Sequence, residues 1–176
     1  SVTLYAEAGA SAPEQSIPQP EYVVDSDAFG DSDNDADSND ENIFPSISEA
    51  VSAAESDAIV GVRKAPDIDS RISINKPLTL SGFEGKPSIS VTTDQEGGED
   101  EAIAIESDNV TIQNLDLNYD GLSRDDDTHI ISGIGRKGIT LRGLEIKSNA
   151  SYDTNAIDIR GVDLEIINNV VTDAGI

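Results

Sequence analysis

The stretch Asn109–Leu117, NVTIQNLDL, recurs along the chain, and that recurrence limits the fold more than any other feature. Lys137–Ile146, KGITLRGLEI, puts Ile139, Leu141, Leu144 and Ile146 where Val110, Ile112, Leu115 and Leu117 stand. Asp163–Val171, DLEIINNVV, puts Leu164, Ile166, Asn169 and Val171 there, and Pro77–Leu80 is a shorter copy with Leu78 and Leu80. The starts at Leu78, Val110, Ile139 and Leu164 are 32, 29 and 25 residues apart. A period of about 20–50 residues marks a solenoid, propeller or array, whose units bury their apolar faces against one another. Within each copy apolar and polar residues alternate, as in a strand with one buried face. The alternation then breaks at a two-residue corner: Gln113-Asn114, Arg142-Gly143 or Ile167-Asn168. A strand, a corner and a second strand in so short a span predict the coil of a parallel β-helix rather than a hairpin sheet.

An upstream strand completes each repeat. Ile103 and Ile105 precede Val110 by seven and five residues, as Ile157 and Ile159 precede Leu164, and Ser132 and Ile134 stand at those offsets before Ile139. Three short strands per turn fit parallel β-helix geometry. The register points Thr111, Asp116, Thr140 and Glu145 outward, and turns Asn169 inward, where it needs hydrogen-bond partners from the stack. Ahead of the repeats, Ser46-Ile47-Ser48-Glu49 spells a capping box, followed by Ala50, Val51, Ala53 and Ala54 in a short helix and Ala58–Val62 as a buried strand. A helix in that place suits a plug for the open end. The polar excursions Thr92–Glu101 and Asn118–Thr128 fall between the same two strands of successive repeats, so they emerge on one flank, where solenoids carry function.

Charge decides which partners are reasonable. The chain of 176 residues has 35 acidic against 11 basic residues, a formal net charge of −24. Phosphate neutralisation needs clustered Lys and Arg, so a nucleic-acid binder is excluded, and an anionic membrane surface is disfavoured. Such acidity suits a surface hydrated in concentrated salt, where self-repulsion is screened. No apolar run is long enough for a membrane span. Cysteine is absent, which removes disulfides and thiolate chemistry. There is no Met, the chain starts at Ser1, and VTDAGI stops in mid-pattern. These features raise the expectation of a processed portion of a longer protein.

Residues 1–42 read as an extended acidic arm, and 43–176 as the repeat domain. Up to Glu41 there are eleven acidic residues and no basic one, with Pro13, Pro18 and Pro20 favouring an extended path. Asp31, Asp33, Asp35 and Asp37 alternate like the start of a calcium loop, the candidate Ca2+ ligands. The loop's glycine and terminal glutamate are replaced by Ala36 and Asn42, and a solvated acidic linker is the plainer reading.

The run Phe44–Leu117, with ISEAVSAA, AIVGV, ISINKPLTLSG (72–82) and DNVTIQNLDL (108–117), resembles the start of secreted right-handed β-helix proteins of the pectate-lyase-like class. The resemblance implies an all-β, right-handed parallel β-helix with a short N-terminal capping helix behind an acidic arm. It implies no chemistry, since the class spans lyases, polygalacturonases, epimerases, adhesins and tailspikes. Asp153-Thr154-Asn155-Ala156-Ile157-Asp158 loosely resembles the NTDGID stretch of polygalacturonases, which makes Asp153 and Asp158 candidates for inverting hydrolysis. The Gly is replaced by Ala and no Gly-His-Gly follows. A lyase of this class uses calcium, carboxylates and an Arg or Lys base, and Arg124, Asp126 and His129 supply such types on one loop. Consecutive strand residues point opposite ways, so this set does not converge readily. The expectation is therefore a non-catalytic rod, part of a fibre, tailspike or surface protein of a halophilic system outside the cell. Residues 1–42 would attach it to other subunits of the assembly, self-association is open, and a cell-surface glycan would bind beyond Ile176. A secreted polysaccharide lyase or glycoside hydrolase, and a calcium-dependent adhesion module, are the alternatives.

Overall fold

A computed structural model of the protein describes residues 19–29, 42–92, 101–119, 129–148 and 155–172. In chain order, β1 (Tyr22–Asp25) and a 3-10 turn (Ser26–Phe29) are followed by β2 (Ile43–Phe44) and α1 (Ile47–Ala53). Next come β3 (Ala58–Lys64), β4 (Ile72–Ile74), β5 (Leu78–Gly82), β6 (Ser88–Val91), β7 (Glu101–Ile105), β8 (Val110–Gln113) and β9 (Asp116–Tyr119). The last are β10 (His129–Lys137), β11 (Thr140–Arg142), β12 (Glu145–Ser148), β13 (Asn155–Val162), β14 (Glu165–Ile167) and β15 (Val170–Thr172). All pairing between these strands is parallel. Each repeat gives one strand to each of three sheets. Sheet 1 runs β14-β11-β8-β5-β3-β1-β2, sheet 2 β15-β12-β9-β6 and sheet 3 β13-β10-β7-β4. The described protein is thus a mostly β structure of parallel sheets.

The inward columns follow the alternation. Leu80, Ile112 and Leu141 stack in sheet 1, Ile89, Leu117 and Ile146 in sheet 2, and Ile72, Ile103, Ile131 and Ile157 in sheet 3. Together they form one apolar core. Two corners per repeat let the chain turn between sheets, and each needs a left-handed residue. Asn109, Gly138 and Asp163 have φ of 56, 68 and 55° before sheet 1, and Asn114, Gly143 and Asn168 have 55, 60 and 54° after it. Asn, Asp and Gly tolerate this region because a short polar side chain, or none, relieves the Cβ clash. The inward Asn169 is anchored to the preceding repeat: Oδ1 accepts from Leu144 N at 2.8 Å and Nδ2 donates to Leu141 O at 2.9 Å.

One repeat departs from the expected offset. Ile131, not Ser132, pairs with Ile103 and Ile157, and Ile134 is 56 % exposed instead of inward. The extra residue is absorbed in a bulge between Ile134 and Arg136, where Gly135 has φ +72°. A bulge shifts every residue before it by one position, which no fixed spacing anticipates.

At the N-terminal end, Ser46 caps α1, its hydroxyl accepting from Glu49 N at 3.3 Å and donating to Glu49 Oε1 at 3.1 Å. Ile47, Ala50 and Val51 are buried, and the helix packs on β1, β2, β3 and β4. Lys76 Nζ closes its other end, donating to Ser52 O at 3.1 Å and Ala54 O at 2.8 Å. Part of the segment read as an arm differs from expectation. Tyr22–Asp25 lies in sheet 1 between β2 and β3, with Val24 opposite Val62 and fully buried. Its Tyr-Val-Val triplet supplies an apolar face that the surrounding acidity obscured. Residues 1–18 and 30–41, with Asp31, Asp33, Asp35 and Asp37, lie outside the described residues.

Candidate functional site

Residues 93–100, 120–128 and 149–154 lie outside the described residues, and with them Arg124, Asp126 and Asp153. Their attachment points are nonetheless fixed. Each connects a strand of sheet 2 to the next strand of sheet 3, so the described residues that flank them, the ends of β6, β9 and β12 and the starts of β7, β10 and β13, fall on one flank of the stack. His129 opens β10, in register with Glu101 and Asn155. Asp158 pairs with Ser132 on the face opposite the isoleucine column. It points outward as the alternation requires, yet its side chain is only 15 % exposed rather than solvated. That face is itself covered, with Ala102, Ala104, Ile130 and Ala156 buried. Burial on both faces is common for parallel strands.

The structure brings together two residues that the sequence placed in separate constellations. His129 Nε2 lies 3.5 Å from Asp158 Oδ2, and Arg160 grips the same carboxylate in a fork, Nε to Oδ1 and Nη2 to Oδ2, both at 2.9 Å. On the same flank, Arg71 Nη2 donates to Glu106 Oε1 at 2.8 Å, and its Nε is 3.4 Å from Glu101 Oε2. Arg71 therefore ties β7 to the strand before it, and His129 with Asp158 ties β10 to β13. Sequence reasoning missed Arg71, Glu101, Glu106 and Arg160. The one available signal was the recurrence of a charged or polar residue at each entry to sheet 3.

A second cluster covers the outer face of sheet 2. Asp116 and Glu145 are stacked in register, a like-charge pair offset by two lysines. Lys147 Nζ lies 2.7 Å from Glu145 and 4.0 Å from Asp116, and Lys86 Nζ lies 3.5 Å from Glu145. The hydrogen bond from Lys147, and then its charge, lower the Glu145 pKa from the ordinary value, and the same bond raises that of Lys147. Because the folded pKa is depressed, the contribution of Glu145 is present above the unfolded pKa and is lost as pH falls through the folded one. In a carbon-13 titration Glu145 is expected to have a midpoint below that of an ordinary glutamate. Lys147→Ala moves it back up; an unmoved midpoint would dismiss the lysine as the cause.

Both oxygens of Asp158 accept from the Arg160 fork, which fixes the orientation of the carboxylate while leaving it further acceptor sites. Among the described residues no group of three or more His, Cys, Asp or Glu is placed to hold a metal ion, and no helix is long and apolar enough to cross a membrane. Comparison with known proteins gives no match to a family model, a curated protein or a solved structure.

Proposed function

We propose that the three sheets are the faces of a right-handed parallel β-helix of the pectate-lyase-like class, used as a non-catalytic structural or adhesive rod. Its setting would be a fibre, tailspike or surface protein of a halophilic system, outside the cell. The observation that carries this reading is the pairing of charges across repeats. Arg71 with Glu101 and Glu106, Asp158 with His129, and Lys147 with Asp116 join neighbouring strands of the stack, while Arg160 with Asp158 and Lys147 with Glu145 pair within one strand. These groups spend their charge on each other rather than on a substrate. Exposed pairs stabilise little singly, typically by about 0–1 kcal/mol, but they keep a strongly acidic surface in register.

A second reading, a polysaccharide lyase or glycoside hydrolase, is favoured by the His129–Asp158 contact. It sits where two excursions carrying Arg124, Asp126 and Asp153 re-enter sheet 3. The test is incubation of the chain with polygalacturonate and alginate in concentrated salt, following unsaturated products and reducing ends. The rod reading expects no turnover above the blank. Turnover abolished by His129→Ala or Asp158→Asn would overturn it in favour of the enzyme.

A further inference from the structure

We propose that Asn109 is an N-glycosylation site, carrying a sugar chain on its Nδ2 at the corner between sheet 3 and sheet 1. Asn109-Val110-Thr111 spells the acceptor tripeptide, an asparagine two residues before a threonine with no proline between. Such tripeptides arise by chance, and the setting in the fold is what distinguishes this one. Asn109 is exposed, and its left-handed φ of 56° turns the chain ahead of β8. Its backbone N–H donates to Lys137 O at 2.8 Å, which holds the corner without help from the side chain. Among the described residues neither the Asn109 amide nor the half-buried Thr111 hydroxyl has a hydrogen-bond partner.

The asparagines whose side chains the stack does use differ on both counts. Asn114 Nδ2 donates to Gly85 O at 2.7 Å, Asn118 Nδ2 to Ser88 Oγ at 2.7 Å and Asn169 Nδ2 to Leu141 O at 2.9 Å. Two residues after them stand Asp116, Asp120 and Val171, so none begins an acceptor tripeptide. Asn109 is the one described asparagine that does, and its amide is not committed to the fold. Space is also kept for it in the next repeat. Gly138 occupies the matching corner there, and a Cβ on it would lie 2.5 Å from Asn109 Oδ1, so any larger residue would press on this amide. The corner joins β7 to β8, away from the flank where sheet 2 passes to sheet 3, so a sugar chain leaves that flank and the core undisturbed.

The donor is an oligosaccharide activated on a polyprenyl phosphate, supplied with its transferase by the secreting cell. Asn109 Nδ2 forms a bond to the anomeric carbon, the bond from that carbon to the phosphate oxygen breaks, and the lipid phosphate leaves with the electron pair while the amide gives up one proton. In the folded protein Thr111 is paired with Thr79 and Thr140 in sheet 1, so transfer takes place before β8 is laid into the stack. The folded corner then holds the bulky, hydrated product in solvent. The site rests on the extracellular setting proposed above, not on the choice between rod and enzyme. A second tripeptide, Asn149-Ala150-Ser151, lies outside the described residues.

Peptide mapping of the chain as its own cells make it tests this, with medium, cell-surface and cytosolic fractions kept apart. Trypsin separates the two tripeptides, because Lys76 and Lys86 precede proline: Asn109 falls in 72–124 and Asn149 in 148–160. The 72–124 peptide from the extracellular fractions is expected to be heavier than its sequence by whole sugar residues, with fragment ions placing them on Asn109. Thr111→Val, which removes the hydroxyl and keeps strand propensity, should abolish the added mass, and Thr111→Ser should retain it. Since the stack uses neither side chain, the Thr111→Val chain should keep the far-UV circular dichroism and thermal midpoint of the enzymatically deglycosylated protein. An extracellular chain with Asn109 bare, sugar on 148–160 alone, or added mass that survives Thr111→Val would overturn the site and leave the extracellular reading standing. A chain confined to the cytosol with Asn109 bare would overturn both.

Discussion

Ile112→Ala is expected to destabilise the protein by about 2–5 kcal/mol, and the chemically identical change at Ile166 by under about 1 kcal/mol. Both residues stand in one inward column of sheet 1, so strand propensity and sheet position are matched. Their surroundings differ. Ile112 is fully buried between Leu80 and Leu141. Neighbours held above and below by backbone pairing cannot collapse into the space a lost side chain leaves, so the cavity term adds to the transfer term. Ile166 already has 45 % of its surface in water, and its truncation leaves an open notch that solvent fills. Urea unfolding of the monomer, at one fixed salt concentration, measures both. Equal losses would mean that the two ends of the column are equivalent, contrary to the burial gradient.

Gly82→Ala is expected to be severely damaging although it adds one methyl group, costing about 3 kcal/mol or more. A Cβ at this position would meet the Asn114 carbonyl oxygen at 2.0 Å, with Pro87 Cδ at 2.7 Å and Gly85 O at 2.9 Å. Two of the three are backbone atoms. The Asn114 carbonyl belongs to a left-handed corner whose Nδ2 also donates to Gly85 O at 2.7 Å, so moving it disturbs two repeats together. Gly135→Ala provides the comparison. Nothing lies within 4 Å of its Cβ position, and its φ of +72° is the sole obstacle, worth about 1–2 kcal/mol. Thermal or urea midpoints rank the two variants; a Gly135 variant as unstable as the Gly82 one would place the strain in dihedral angles rather than contact.

The inward columns were legible because a buried strand face must repeat every second residue, and Val110, Ile112, Leu115 and Leu117 do so three times over. The left-handed corners were half legible. Gln113-Asn114 and its counterparts broke the alternation visibly, whereas Asn109, Gly138 and Asp163, each just before a strand start, gave no sign of a corner, since a single residue at a turn leaves no periodic trace. Tyr22–Asp25 was hidden by composition, which averages over a window and cannot see three apolar residues among carboxylates. The charge pairs were not legible at all. Arg71 meets Glu101 and Glu106, 30 and 35 residues on, and such a partner is chosen by register and side-chain reach. Of the candidate site residues, only His129 and Asp158 fall within the described residues. Their meeting follows from a diagonal across two strands, not from any motif.

The difference between the two ends gives the molecule a direction in time as well as in space. β5 is laid on β3, and every strand from β7 onward on the strand three before it, and the first layers are held by a capped helix tied down by Lys76. Ordering can therefore spread from α1 as each new repeat finds its template, in the same sense as the chain leaves a ribosome. Among the described residues β13, β14 and β15 have a neighbour on one side only, and loss of structure in a stacked array moves from such a layer inward.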